Sequence, residues 1–371
     1  MATTIFVMTH KAFQPPEDPV YKPLQVGRAT GEDLGFLGDD TGDNISEYNC
    51  YFGELTGLYW IWKNYKGREN IGICHYRRYF TDERHLYFSS DDFDRILSEY
   101  DVITSNRLEA EKIYWKVYGD AHHIEDMQAV GEAIKKIYPQ DYDTFISVME
   151  GIEHYYGNLM VMPRDTFDDY CKWLFDILFE VSHHIDPTEY PPYHRRVYGF
   201  LSENLLLVYI RARGLRPYES TIGCSEEKVE SRDLVLATYQ LLKMGQIDEA
   251  YRLFSQIVDL RPDVTLPMSD IYSRVVCTEQ ILFTLVAEEK AGVTGMWEVS
   301  HDLLVLIDHY KKVFRIFSAY SEGSPMSDED FSYLKDTFVS AICAELMVKS
   351  NLSKYLKCTP LDEERVMGLY E

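Results

Sequence analysis

One short apolar run that ends in cationic side chains has the residue types needed to bind an anion. Residues 70–80 read NIGICHYRRYF, and their first half has the apolar character of a buried strand. His75, Tyr76, Arg77 and Arg78 follow at the point where such a strand would end. Arginine forks bind phosphate oxygens bidentately, and imidazole adds a donor without fixed charge. The run therefore predicts an anion site at a strand end, with pairing of the arginines to surface carboxylates as the alternative.

A second cationic pair follows the first apolar run of the chain. The segment TIFVMTH reads as a strand and leads into His10 and Lys11, which we group with Thr9 as donor-binding residues. In an open α/β sheet, ligands bind at the carboxyl ends of the strands. Residues 14–23 contain four prolines, so we expect no regular structure there but a rigid loop over this strand end. Gln25, just after the loop, is a further donor-binding candidate.

An acidic, glycine-rich turn offers a different way to hold a ligand. The segment LGDDTGDNIS, residues 37–46, contains Asp39, Asp40, Asp43 and Asn44. The last two side chains accept hydrogen bonds from sugar hydroxyls, and the three aspartates have the hard oxygen ligands that Mg²⁺ or Mn²⁺ prefers. Asp and Asn beside Gly also form ordinary turns. We favour the cationic site and predict no cofactor, with a divalent metal as the alternative.

Polar side chains in later loops are candidates for ligand binding. His122 and His123 stand at the start of a predicted helix, and His194 and Arg195 lie in a proline-containing loop. We assign all four to acceptor binding, although a histidine pair at a helix entrance is also an ordinary solvated feature. Asn158 follows a glycine at the opening of a predicted apolar strand, where the backbone tolerates close approach, and is assigned to the donor.

Three carboxylates are candidates for the catalytic base. Glu203 lies near the predicted start of a helix that follows the basic loop, with Asp43 and Asp126 ranked behind it. A base must reach the acceptor hydroxyl within hydrogen-bond distance. A carboxylate at a helix start is explained equally well by capping and by the helix dipole.

The order of elements predicts an α/β domain followed by a helical one. A helix over residues 47–66 joins the first strands, and DVITS and YYGNLMVM read as further strands of a parallel sheet. Strand patterning ends near residues 223–231, so we predict domains at 1–225 and 226–371. The start of the second domain resembles one tetratricopeptide unit, with Gly245 at its turn and Pro262 closing it.

Composition narrows the class of protein. The net charge of -24 argues against nucleic acid as a partner, because binding to phosphate backbones requires a basic face. Seven cysteines without a C-x-x-C pair indicate a reducing compartment and no zinc site. No apolar run is long enough to span a bilayer, and the first residues lack the features of a secretory signal. We expect a cytoplasmic protein, with peripheral attachment at the inner membrane face as a variant.

Taken together, MTHK, GDDTGDNIS, ELTGLYWIWKN, CHYRRYF, YGNLMVM and GFLSENLL resemble one family of bacterial glycosyltransferases. These enzymes act in capsular and exopolysaccharide synthesis, and some are galactofuranosyltransferases that use a UDP-sugar. The resemblance covers roughly residues 3–215. It implies a GT-A-like, Rossmann-like nucleotide-sugar domain and a glycan or lipid-linked glycan acceptor, as in capsule, exopolysaccharide or O-antigen synthesis.

One feature of the sequence departs from the pattern of many such enzymes. Where an Asp-x-Asp commonly holds a metal on the pyrophosphate, this chain has HYRR. Arginines at that place can neutralise the leaving diphosphate directly. The alternative to an enzyme is a non-catalytic scaffold or adaptor whose helical tail binds protein partners or a second copy, and binding of a UDP-sugar separates the two.

Overall fold

The computed structural model describes residues 2–225, 229–260, 272–350, 352–356 and 358–370. The chain forms two compact units, Met1–Ser225 and Glu226–Glu371. The first is a mixed α/β unit and the second is helical in the part that the structure describes. Among the described residues, no helix combines the length and apolar character needed to cross a membrane.

A mixed eight-stranded sheet forms the centre of the first unit. Its strands are β1 (Thr3–Thr9), β2 (Tyr21–Gln25), β3 (Leu37–Gly38), β4 (Asn70–His75), β5 (Arg78–Thr81), β6 (Val102–Ser105), β9 (Met160–Met162) and β10 (Pro217–Cys224). A small second sheet consists of β7 (Leu108–Glu109) and β8 (Glu153–His154). Strands β3, β2, β1 and β4 are parallel neighbours in that order. On its other side, β4 pairs antiparallel with β9, which pairs with β6; β6 lies parallel to β10. The prediction of a parallel sheet is therefore wrong in part, because β5 and β9 both run antiparallel to β4.

Helices cover both faces of this sheet. They are α1 (Asn49–Phe52), α2 (Leu55–Asn64), α3 (Ser90–Leu97), α4 (Tyr114–Ala121), α5 (Ile124–Ile137), α6 (Tyr142–Met149), α7 (Arg164–Val181) and α8 (Val197–Arg213). Side chains alternate along a strand, so Phe6 and Ile73 join the larger core under α2, α7 and α8, whereas Ile5 and Cys74 face α3. Both faces of β1 and β4 are therefore buried, which explains their continuous apolar sequence.

Three predicted elements differ from the observed ones, and one observed strand has no predicted counterpart. The proline-rich loop is irregular as far as Pro19, but β2 includes Pro23, which is tolerated because only the last two residues of β2 pair with β3. The helix predicted over 47–66 is divided at Gly53, whose φ of 56° ends α1. The strand predicted from residue 155 forms only at β9. Strand β10 was not predicted.

In its described residues, the helical unit contains α9 (Val229–Lys243), α10 (Ile247–Leu260), α11 (Tyr272–Ala291), α12 (Leu303–Ser321), α13 (Asp328–Asp336), α14 (Ala341–Lys349), α15 (Leu352–Leu356) and α16 (Glu363–Met367). Helices α9 and α10 join through Gly245, which has a φ of 75°, and Ala250 and Phe254 of α10 are buried. This is the arrangement expected of a helical hairpin. The tetratricopeptide assignment stays a prediction, and Pro262 lies outside the described residues.

Candidate functional site

The carboxyl ends of β1 and β4 lie side by side. Met8 is opposite His75 in the parallel register, and the Tyr76 N–H donates to the Met8 carbonyl over 3.0 Å. His10 lies against the Tyr76 ring, with 5.5 Å between ring centroids. The two cationic segments of the sequence therefore meet at one edge of the sheet, as parallel pairing requires.

The two arginines follow β4 in a tight turn into β5. The Arg77 guanidinium lies 5.3 Å from the centre of the Tyr76 ring, and that of Arg78 lies 5.7 Å from the centre of the Tyr156 ring. A guanidinium against an aromatic face keeps its charge while its orientation is fixed. The turn thus presents two oriented cations at the carboxyl edge of the sheet.

Glu54, between α1 and α2, is a site residue that we did not predict. Its Oε1 accepts a hydrogen bond from Asn158 Nδ2 over 2.7 Å. Burial alone would raise the pKa of Glu54, but His75, the Asn158 hydrogen bond and Arg196 together hold this pKa below its ordinary value. Glu54 is therefore an ionised carboxylate beside the cationic turn. The signal available in the sequence was Gly53, a glycine directly before Glu54 and inside the predicted helix.

Asn158 is held in one orientation by its surroundings. It has a φ of 46°, and Gly157 before it has a φ of 86°, so this turn uses the left-handed region twice in succession. The Ser202 hydroxyl lies 3.0 Å from Asn158 Oδ1 and donates to it, which directs the amide Nδ2 towards Glu54. Asn158 is buried and lies beside Glu54. We call the region around the following interacting groups the cleft: Glu54, His75, Arg77, Arg78, Asn158 and Glu203.

Glu203 lies in the second turn of α8, seven residues into the helix, and not at a helix start. The capping explanation for this residue is therefore wrong. Burial raises the pKa of Glu203 to about 8, and the charge of Glu54 adds to the shift; Arg78, Arg196 and the Gly157 N–H act in the opposite direction. The cleft thus contains two nearby carboxyl groups with opposite pKa shifts.

His75 is a neutral imidazole in this cleft. Burial lowers its pKa to about 4; Glu54 opposes the shift, whereas Arg78, Arg77 and His10 add to it. Its Nε2 is buried and has no hydrogen-bond partner among the described residues. At neutral pH, this ring is a polar group without charge next to the two arginines.

The four predicted acceptor residues lie together with aromatic rings next to the cleft. His122 stacks on Phe200, with 4.3 Å between centroids, and lies 5.6 Å from the ring of His194. His123 contacts the Tyr190 ring at 4.4 Å, and Arg195 Nε donates to the Tyr190 carbonyl over 2.9 Å. Phe200 and Glu203 are one turn apart on α8, so this histidine cluster adjoins the carboxylate.

Several predicted residues have structural partners of their own. Asp126 is buried and accepts from the Tyr190 hydroxyl over 2.8 Å; burial raises its pKa. The Thr9 hydroxyl bonds to the backbone of Lys11. The Gln25 amide is buried and bonds to the backbone of Glu32 and Leu34. These contacts fix loops around the cleft without aiming the side chains at a ligand.

The acidic turn lies towards the other end of α2. Asp43 accepts from the Tyr59 hydroxyl over 3.0 Å, and its backbone bonds to Asn64. Asn64 follows Glu54 by ten residues, about 15 Å along a helix. Asn44 bonds within its own turn to Gly42 and Ser46. The structure therefore does not bring Asp43 and Asn44 to the Glu203 cluster.

Most carboxylate oxygens of the other two aspartates in this turn bond to neighbouring protein groups. The buried Asp39 carboxylate accepts from the backbone N–H groups of Gly27 and Arg28 and from the Ser46 hydroxyl, and Asp40 pairs with Arg28 over 3.5 Å. These bonds hold the turn together, and Asp40 Oδ1 is buried without a hydrogen-bond partner in the described part of the chain. Within the described ranges, no three His, Cys, Asp or Glu side chains are grouped as metal ligands.

The first unit is similar to a known protein family and to one solved glycosyltransferase structure. A family model described as a domain of unknown function, DUF4422, matches residues 4–214. The apo structure of WbbM, a bifunctional glycosyltransferase, superposes with a TM-score of 0.58 and 27% identity, covering 61% of this chain and 46% of WbbM. A search of curated proteins gave no match. The α/β unit has a glycosyltransferase-like fold.

Proposed function

We propose that this chain, which belongs to the DUF4422 family, is a glycosyltransferase that moves a sugar from a UDP-sugar to a glycan acceptor. The observation that carries the proposal is the pairing of Glu203 and Glu54 beside Arg77 and Arg78 at the carboxyl edge of the sheet. The fold shared with WbbM supports the reaction class. The chain spans 46% of that protein's length, so the likeness to WbbM is used only for the reaction class and not for the substrates.

The arginine turn is the proposed site of the donor diphosphate. Departure of a nucleoside diphosphate builds negative charge on its oxygens, and oriented cations stabilise that charge in the transition state. Arg77 and Arg78 supply two guanidinium groups there, with His10 and Lys11 at the neighbouring strand end. In this role the arginines make a divalent metal unnecessary.

Glu203 is the proposed general base for the acceptor hydroxyl. A base works best when its pKa is close to the working pH, and burial with the like charge of Glu54 raises the pKa of Glu203 to about 8. The hydroxyl proton passes to Glu203 as the oxygen attacks the sugar carbon and the bond to the diphosphate breaks. Glu54, fixed by Asn158, keeps its negative charge and maintains the shift.

The proposed acceptor, sugar and location of the reaction follow from the family resemblance. We propose that the acceptor is a capsular, exopolysaccharide or O-antigen glycan, free or lipid-linked, and that galactofuranose is a candidate for the transferred sugar. The reaction is placed in the cytoplasm or at the inner membrane face. The helical unit is proposed to bind a protein partner or a second copy.

A screen of nucleotide sugars tests the function. A donor in excess over its dissociation constant stabilises the native chain, by about 2.7 kcal/mol at a hundredfold excess. We expect UDP and at least one UDP-sugar to raise the melting temperature of the full chain, with no rise in the double variant Arg77→Ala/Arg78→Ala. A chain that no nucleotide sugar stabilises would instead match the scaffold alternative.

A further inference from the structure

A depression lies beside the rings of Phe52 and Tyr198. It has a volume of about 560 Å³, within the range of ligand-binding pockets. Its lining includes five aromatic side chains, which are Tyr48, Tyr51, Phe52, Phe179 and Tyr198. Tyr48 is 53% exposed, which is unusual for an aromatic side chain that serves only the core. We call this depression the tyrosine groove.

Polar side chains also line the tyrosine groove. They come from the segment that follows α7 and include His183, His184, Asp186 and Thr188, all of them exposed. The Thr188 hydroxyl and N–H both donate to Asp186 Oδ1, at 2.7 and 3.0 Å, which orders this segment. Aromatic rings together with exposed acceptors and donors match a sugar ring, which has an apolar face and a rim of hydroxyls.

The charge of the lining is unfavourable for a phosphorylated ligand. Of the residues that the structure places around the groove, none is a lysine or an arginine, and Asp186 adds a carboxylate. Phosphate sites use cationic forks or exposed backbone N–H groups. The tyrosine groove is therefore a poor place for the UDP part of the donor, which leaves neutral sugar as the matching chemistry.

The groove is connected to the catalytic cleft through two stacked rings. Phe52 and Tyr198 stack with 4.4 Å between centroids. Phe52 precedes Glu54 by two residues, and Tyr198 precedes Gly199, whose carbonyl accepts from Asn158 Nδ2 over 3.4 Å. The same short segments therefore line the groove with aromatic rings and the cleft with its polar groups. A chain of sugars long enough to pass around this stack reaches both.

We propose that the tyrosine groove binds a sugar unit of the acceptor glycan remote from the hydroxyl that is glycosylated. This inference rests on the proposed function, since it names a second contact for the acceptor of that reaction. Binding at the groove contributes to the affinity for longer acceptors and leaves the chemical step unchanged. Tyr48 and Asp186 are binding residues in this account and take no part in the transfer.

Saturation-transfer NMR on the full chain tests the proposal directly. The probes are three neutral disaccharides, maltose, lactose and cellobiose, each without nucleotide. We expect saturation transfer to at least one of them in the wild type and in Glu203→Gln, and its loss in Tyr48→Ala. Tyr100→Ala removes another exposed tyrosine, distant from the groove in sequence and in fold, and should leave the signal unchanged. Absence of transfer to all three sugars in the wild type overturns the proposal.

A kinetic measurement separates the groove from the proposed reaction. With an acceptor of several sugar units, Tyr48→Ala should raise the acceptor KM at least tenfold and leave kcat within twofold, and a one-sugar acceptor should show no such change. An unchanged KM for the longer acceptor overturns the groove and leaves the transferase assignment intact. Disaccharide binding in a chain that transfers no sugar from any donor would instead remove the transferase assignment and keep the groove as a sugar site.

Discussion

At the scale of single residues, the cleft depends on two glutamates that differ in charge. At neutral pH, where His75 carries no charge, the Asn158 hydrogen bond and Arg196 favour the ionised form of Glu54, whereas burial and the Glu54 charge favour the protonated form of Glu203. Pairs of carboxyl groups with opposite pKa shifts are how enzymes divide acid and base roles between identical side chains. The sequence contained both residues, but only their approach in space creates the difference.

We predict that activity follows the ionisation of Glu203. Because its pKa is raised to about 8, kcat/KM should rise about tenfold per pH unit below pH 8 and level off above it. Glu203→Gln should lower kcat by about 10² to 10⁴ and abolish this rise. Glu99→Gln, at an exposed site, is the matched control. Near-full turnover of Glu203→Gln at saturating substrates would remove the residue from the role of base.

The same shift predicts how stability depends on pH. Between the ordinary pKa of 4.5 and about 8, the native chain keeps a proton on Glu203 that the unfolded chain has released. This contribution to stability is complete below pH 4.5 and is lost as the pH rises towards 8. Glu203→Gln should therefore gain in melting temperature relative to the wild type as the pH rises from 5 to 8.5. A difference that is constant over this range would contradict the raised pKa.

We predict that transfer does not require a metal and does require Arg78. Its guanidinium, placed between the Tyr156 ring and Gly157, supplies positive charge where a diphosphate would leave. Turnover should persist in excess EDTA, and Arg78→Ala should lose about 10² to 10³ in kcat. Arg78→Lys keeps the charge without the planar fork and should recover only part of the rate. Activity abolished by EDTA and restored by Mn²⁺ would assign the cation to a metal.

At the scale of elements, interruptions of regular structure place the polar groups. Gly53 ends α1 just before Glu54, and the left-handed pair Gly157 and Asn158 precedes β9. Hydrophobic periodicity predicted the surrounding helices, which each bury one face. It also predicted the apolar strands β1, β4 and β6, which are buried on both faces. It did not predict the break at Gly53, since the apolar spacing on both sides of it fits one helix.

Strand β10 shows why the remaining sheet was not predicted. Its sequence, PYESTIGC, begins with proline and has charged and glycine residues in place of an apolar pattern. It forms because β5 and β6 offer backbone partners on both sides. In the same way, Glu203 was assigned to a helix start because the apolar signal of α8 is strongest after it, whereas α8 begins at Val197. Strand pairing and the first residue of a helix both depend on tertiary contacts, which cannot be read from a local sequence pattern.

We predict a specific cost for a side chain at Gly157. A β-carbon there would lie 3.2 Å from Arg78 Nη1, and the φ of 86° is unfavourable for any other residue. Gly157→Ala should destabilise the chain by about 1–2 kcal/mol and also weaken UDP binding, because the guanidinium must move. Gly214→Ala is the matched control, with a φ of 63° and open space around its β-carbon. If both variants lose the same stability and Gly157→Ala binds UDP as the wild type does, the turn at Gly157 is not part of the donor site.

At the scale of the whole molecule, the anion site is local in a strongly acidic protein. The net charge of -24 repels a diphosphate at long range, so attraction must come from Arg77, Arg78 and their neighbours within about a Debye length of 8 Å at physiological salt. Donor affinity should accordingly depend on these few side chains and not on the overall field. All of them belong to the first unit.

Because the two units have separate hydrophobic cores, we predict that residues 1–225 fold and bind UDP without the helical unit. In the described part of the chain, the buried apolar residues of 1–225 form two clusters, and those of the helical unit form a third with no member in common. A fragment of residues 1–225 should therefore unfold cooperatively and bind UDP with a Kd within about threefold of that of the full chain. Calorimetry on this fragment, with residues 226–371 as the comparison, measures both quantities. If the first fragment folds without binding UDP and the helical fragment binds it, the donor site belongs to the helical unit and the assignment of the β4 turn is wrong.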